Sequence, residues 1–222
     1  WHMTEIQGKK PTEKVVFTYQ NNQAISALQL EDADVEIYTH DIGGLDPISP
    51  SISITNADIS SLLDIKLLNQ IDFPNGKLVF YYTDNRQDNL GKSLTSIDLY
   101  SFNPSIDGYG NPGYSLIKKF QLNQSYKDGR LFLDGVDLKD NLGNTIGSYT
   151  CEYNTTPLPA KNSKAKDYWG YSNGQTGNTT LIPAQTFSAI VLQSQTTPTV
   201  FSVGGANRSP NETQMQARVL NK

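Results

Sequence analysis

The chain has 222 residues, of which 18% are charged, and a formal net charge of −4 at pH 7. This length is sufficient to bury a hydrophobic core, and the weak negative charge, with no basic cluster in the sequence, argues against nucleic-acid binding. No run of about 18 apolar residues occurs, so the sequence predicts no membrane insertion by a helix.

Three segments are distinguished along the chain. Residues 1–3, Trp-His-Met, are typical of a cloning junction and are interpreted as a cloning remnant. Residues 4–60 are expected to form an N-terminal β segment or a small β domain. Residues 61–222 are expected to form a larger β-rich region, and the boundary between the two is placed near residues 55–65.

Short segments in which apolar and polar residues alternate predict the strands, because a period of two directs one face inward and the other toward water. Pro74-Asn75-Gly76 between two apolar runs is a hairpin signal, and Asp128-Gly129 marks another turn. A strand–loop–strand pattern that begins at Lys14 recurs at Lys77, which favours repeated antiparallel hairpins. The predicted strands cover residues 15–19, 35–38, 78–82, 96–100, 116–122, 130–133 and 148–153.

Helix signals are few. Residues 210–220 form the one predicted helix, with Ser209 as its N-cap and Pro210 in its first turn, and residues 57–63 are compatible with a single helical turn. After Tyr153 a long loop rich in Gly, Asn, Thr and Ser is expected to pack as an ordered cover. Within it, residues 189–192 and 199–203 are expected to pair.

These patterns predict an all-β fold. The expected architecture is an antiparallel β-sandwich, or stacked β-sheets, with long loops and one short C-terminal helix. Gly204-Gly205 is expected to let the backbone turn tightly rather than to bind a phosphate.

The sequence excludes several kinds of chemistry. With two histidines and one cysteine, no structural zinc site of the usual ligand set is available, and no cofactor or metal is predicted. Cys151 is expected to be a buried structural residue of a strand. A pair of facing carboxylates remains open, because a glycosidase needs two acids at a separation that only the fold can set.

The stretch "DYWGYSNG", residues 167–174, brings three aromatic rings, two glycines and an amide together. Exposed aromatic rings can stack on sugars while polar groups bind the hydroxyls, so five residues are candidates for ligand binding. The alternative, favoured on composition, is that Trp169 is a structural plug which buries a large apolar area and fixes the loop to a sheet. The five candidates are Asp167, Tyr168, Trp169, Tyr171 and Asn173.

An ordered series of motifs carries a family resemblance. "QIDFPNGKLVFYYTDNRQD", "LTSIDLY", "IKKFQLNQSY", "GRLFLDGVDL", "SYTCEYNTTPLP" and "KDYWGYSNG" follow one another between residues 70 and 174. This order resembles the RHS-like, or YD-repeat, surface and secreted proteins of Bacteroides-type bacteria. The resemblance covers residues 62–222 and is weaker over residues 1–60.

The resemblance implies a β-rich module upstream of the YD repeats of a large exported protein, truncated at its C-terminal end. It implies an extracellular or cell-surface location. The expected partners are the rest of the same polypeptide and a glycan or another surface protein, with no nucleic acid and no membrane insertion. It assigns no catalytic residue.

Three functions follow, in order of preference. The first is a non-catalytic structural or adhesive module. The second is a carbohydrate-binding module that uses an exposed aromatic patch, and the third is a glycoside-active enzyme with a carboxylate pair. An exposed Trp169 would favour the second function over a purely structural one.

Overall fold

The structure is a computed structural model, and it describes residues 2–36, 51–84, 86–88, 91–106, 112–189 and 197–221. In these ranges the chain forms ten strands and one short helix. The strands are β1 (Glu5–Gln7), β2 (Lys14–Glu36), β3 (Ser51–Phe73), β4 (Gly76–Thr83), β5 (Ser93–Asn103), β6 (Gly113–Lys127), β7 (Arg130–Lys139), β8 (Thr145–Thr150), β9 (Gln185–Ala189) and β10 (Thr199–Val203), and the helix is α1 (Glu212–Met215).

The first eight strands form one antiparallel sheet in sequence order, and β9 pairs with β10 in a second sheet. The all-β prediction is therefore confirmed. Tight turns set the register between neighbours: Phe73 pairs with Gly76 across the predicted Pro74-Asn75 turn. Asp128 and Gly129, with φ angles of 52° and 70°, form the predicted turn between β6 and β7, since positive φ at both central residues matches the twist of a hairpin.

The chain divides into two compact units. One contains residues 1–26, 61–153 and 220–222, and the other contains residues 27–60 and 154–219. Strands β2 and β3 contribute residues to both units. The division into residues 4–60 and 61–222 stays a prediction.

The described residues bury few large apolar side chains completely. Their buried apolar residues are four alanines and one valine, while two polar residues, Asp167 and Asn173, are the largest side chains with under 2% exposure. Most apolar residues of the large sheet are half-buried. Strand pairing and buried polar contacts therefore contribute much of the specificity of this fold.

Two predictions of secondary structure are wrong. Residues 57–63 belong to β3 and not to a helical turn, because pairing with the neighbouring strands of the sheet prevails over a local preference that is too short to nucleate a helix. The helix is shorter than predicted, and its N-cap is Asn211, whose side chain accepts a hydrogen bond from Gln214 N at 3.1 Å. Ser209 does not have that role.

Two further predictions need correction in position. The last strand of the large sheet ends at Thr150, so Cys151 lies just beyond it and is half-buried, although its N–H still donates to Asp134 O at 2.8 Å. In the small sheet β10 is as predicted, but its partner is β9, in which Phe187 stacks on Phe201 at 5.4 Å. Residues 37–38 and 190–192 of the predicted strands lie outside the described residues.

Candidate functional site

The stretch identified in the sequence forms a tight hairpin, residues 166–172, which we call the aromatic hairpin. Lys166 and Ser172 form an antiparallel bridge, and Asp167 N donates to Tyr171 O at 2.8 Å. Gly170 N donates to Asp167 O at 3.2 Å, and Gly170 has a φ of 91°. Asp at the first position of a turn and Gly at its end are the residues that such a turn favours, so the local sequence explains the hairpin.

The aromatic rings of this hairpin face solvent. Tyr168 is 66% exposed, Trp169 is 84% exposed and Tyr171 is 54% exposed. The interpretation of Trp169 as a buried plug is therefore wrong. The physical reason is the turn itself, since the side chain of Asp167 is buried while Tyr168 and Trp169 occupy the central positions of the turn, where their side chains are exposed.

The buried side chain of Asp167 stabilises the hairpin by accepting hydrogen bonds from its backbone. This side chain is fully buried, and Oδ1 accepts hydrogen bonds from Trp169 N at 2.8 Å and from Tyr171 N at 2.9 Å. A single carboxylate oxygen of Asp167 therefore accepts hydrogen bonds from the N–H of Trp169 and from that of Tyr171, two residues further on. Asp167 Oδ2 is buried and has no hydrogen-bond partner among the described residues.

Asn173, which directly follows the hairpin, also supports it through buried hydrogen bonds. It is 1% exposed, its Nδ2 donates to Asn207 O at 2.9 Å and to Ser209 O at 3.2 Å, and its Oδ1 accepts from Gln175 N at 3.1 Å. The five candidate residues therefore separate into two groups. Tyr168, Trp169 and Tyr171 are exposed, whereas Asp167 and Asn173 position them from the interior.

Arg208 completes the support of the hairpin, although no pattern in the sequence pointed to this residue. Its Nε and Nη2 donate to Asp167 O at 3.1 and 2.5 Å, and its Nη1 donates to Leu181 O at 2.6 Å. The guanidinium carbon also lies 5.2 Å from the centre of the Tyr168 ring, which is within cation–π range. Arg208 therefore holds both the backbone of the hairpin and one of its exposed rings.

The surrounding loop is ordered by side chains that bond to the backbone. Asn178 Oδ1 accepts from Asn207 N at 2.9 Å, and its Nδ2 donates to Asn207 O at 3.0 Å. Gly204 and Gly205, at φ angles of 77° and 133°, supply the expected tight turn just before these residues. Asn and Asp side chains readily replace strand pairing in this way, so the long loop is an ordered support.

Two aspartates, Asp167 and Asp98, are buried, and they belong to different units. Asp167 belongs to the unit that contains residues 154–219, and Asp98 on β5 belongs to the other. Asp98 is 4% exposed, and its Oδ2 lies 3.4 Å from Lys119 Nζ. Each carboxylate has one buried oxygen without a hydrogen-bond partner among the described residues, Asp98 Oδ1 and Asp167 Oδ2, and the glycoside-active enzyme stays a prediction.

Comparison with protein-family models, with curated proteins and with solved structures gives no match. The resemblance to RHS-like proteins therefore stays a prediction. Among the described residues, no helix has both the length and the apolar character that a membrane-spanning helix requires.

Proposed function

We propose that this chain is a non-catalytic adhesive module that binds glycans through the aromatic hairpin. One observation carries the proposal: Trp169 is 84% exposed, yet the residue that anchors its turn, Asp167, is fully buried. An exposed indole on a mobile loop would lose conformational entropy when it bound a ligand. A turn that is already fixed avoids most of that cost.

The chemistry of the tip fits a sugar. Indole and phenol rings offer flat apolar faces for the C–H groups of a pyranose, and the two phenol hydroxyls can exchange hydrogen bonds with its hydroxyl groups. Tyr168 and Tyr171 lie on either side of Trp169 in the chain and are both more than half exposed. This arrangement supports carbohydrate as the ligand class, and the resemblance to RHS-like proteins is the reason to propose an exported surface protein as the setting.

Fluorescence of Trp169 is the direct test. The chain has two tryptophans, so Trp1→Phe leaves Trp169 as the only indole. We expect a glycan panel to contain ligands that shift or quench its emission and protect it from acrylamide. Trp169→Ala should weaken binding at least about tenfold, or 1.4 kcal/mol, when measured by calorimetry.

Tyr149→Ala is the matched control, because Tyr149 is 75% exposed but lies on β8, outside the hairpin. It should bind the same glycans as the unmodified protein. A panel without any ligand, or equal losses in the Trp169 and Tyr149 variants, would refute the proposed function.

The free energy of unfolding of the same Trp169→Ala variant tests whether the indole is exposed. Because the indole is 84% exposed, its removal should change the free energy of unfolding by no more than about 0.5 kcal/mol. Urea denaturation followed by circular dichroism measures this change. A large drop in stability would show that the indole supports the fold and would contradict its role as a free binding surface.

A further inference from the structure

The two edges of the large sheet differ in how they are protected. The sheet ends at β1 on one side and at β8 on the other. Strand β1 has three residues, and its Glu5 pairs with Lys14 at 2.6 Å. Short length and charge are the usual protection of an edge against further pairing. Strand β8 is twice as long, has no charged residue and no proline, and is exposed at five of its six positions.

The backbone groups that β8 offers at its outer edge follow from one hydrogen bond. Cys151 N donates to Asp134 O on β7 at 2.8 Å, and the register between the two strands is regular from Gly147 to Thr150. Because successive residues of a strand alternate in direction, the N–H and C=O groups of Ser148 and Thr150 point away from β7. Among the described residues, no strand pairs with β8 on that side.

The C-terminal residues already begin a strand on this outer side. Leu220 forms an antiparallel bridge with Tyr153, and Asn221 N donates to Glu152 O at 2.7 Å. Glu152 lies two residues after Thr150, so its C=O group has the same outward direction as the open groups of β8. The C-terminal residues therefore run antiparallel to β8 and toward its open groups.

The register of this contact shows which groups come next. Leu220 lies opposite Tyr153, so a residue three positions after Leu220 lies opposite Thr150, and a residue five positions after it lies opposite Ser148. These are the two residues of β8 whose backbone groups point outward. A strand that continued in this direction would therefore complete two hydrogen-bonded pairs without any change of register.

We propose that the outer edge of β8 binds an extended segment of the same polypeptide, which follows Lys222 and pairs antiparallel with β8 as a ninth strand of the large sheet. Tyr149, which is 75% exposed, lies at the centre of the paired segment and favours a β-branched residue opposite it. A second copy of this chain fits less well, because a strand that passed Thr150 would meet Asn221 at Glu152. The proposal does not rest on the function proposed for the aromatic hairpin.

A simpler alternative is that the contacts of Leu220 and Asn221 only fix the end of the chain. Every open sheet has edges, and water satisfies the backbone groups of an exposed edge. In that case a segment supplied after Lys222 would gain nothing from lying along β8, and the amides of this edge would exchange as fast with the segment as without it.

The test extends the chain after Lys222 by the segment Thr-Val-Thr-Val-Thr, which places valine opposite Tyr149. Hydrogen exchange of single amides is followed by nuclear magnetic resonance. In the unextended chain the amides of Ser148 and Thr150 should exchange fast, whereas that of Tyr149, which points toward β7, should be protected. We expect the extension to slow the exchange of the Ser148 and Thr150 amides at least about tenfold, or 1.4 kcal/mol.

The segment Pro-Val-Pro-Val-Thr is the matched control, because proline lacks the N–H that would donate to the C=O groups of Thr150 and Ser148. It should protect the two amides far less, while the Tyr149 amide and the circular dichroism spectrum stay unchanged. No slowing by the valine–threonine segment, or equal slowing by the proline segment, would overturn the proposal. Protection in the unextended chain that rises with protein concentration would identify a second copy as the occupant and would also overturn it.

Discussion

Asp167→Ala is expected to destabilise the unit that contains the aromatic hairpin by about 3 kcal/mol, since a buried donor left without an acceptor costs roughly 1–3 kcal/mol. The substitution removes the acceptor of both Trp169 N and Tyr171 N. Proteolysis within the loop and hydrogen exchange of these two amides should both increase. Urea denaturation measures the loss of stability.

Asp167→Asn is the matched control. Its side-chain oxygen can accept the same two hydrogen bonds, so its loss of stability should be clearly smaller than that of the alanine variant. The Asn variant should also retain glycan binding, because the turn that presents Trp169 persists. If both variants lost the same stability, the carboxylate would not anchor the hairpin through these bonds.

Gly135→Ala is expected to destabilise the large sheet by about 2 kcal/mol, in the range found for overpacking. A Cβ at Gly135 would lie 2.5 Å from Tyr149 O on the neighbouring strand β8. That atom is backbone, so it moves only if β8 moves. Hydrogen exchange should therefore become faster at the amides that join β7 and β8.

Gly147→Ala provides the comparison on the opposite strand. A Cβ at Gly147 would have Leu138 Cβ as its nearest neighbour, at 4.0 Å, which is an ordinary contact. We expect no loss of stability there, because Ala loses less conformational entropy than Gly on folding. Equal effects at the two glycines would show that the close approach of β7 and β8 is not what limits position 135.

Local patterns in the sequence were sufficient to predict an all-β fold with antiparallel hairpins. Alternation identified parts of β4 to β8, and Pro74-Asn75 and Asp128-Gly129 located two of the turns. The lengths of β2 and β3, 23 residues each, were not predicted. Strand length in a sheet depends on the neighbouring strand, and a single segment does not contain that information.

The candidate site was also predicted only in part, because some of its contacts join segments that are far apart in the sequence. Four of the five candidate residues lie in one hairpin and Asn173 directly follows it, but the interpretation favoured on composition had Trp169 buried, and the structure exposes it. The spacing of Asp167 and Gly170 was a usable sign of a turn that directs the acid inward. Arg208 gave no such sign, because its bonds to Asp167 join residues 41 positions apart.

The separation of 41 positions between Asp167 and Arg208 has a consequence for the order of folding. Strands β4 to β8 pair with their immediate neighbours in the chain, and contacts between nearby segments form quickly because little loop entropy is lost. The bonds of Arg208 to the hairpin, and the bridge between Tyr153 and Leu220, join segments that are at least 41 positions apart in the chain. The strands of the large sheet are therefore expected to pair before Arg208 bonds to the aromatic hairpin.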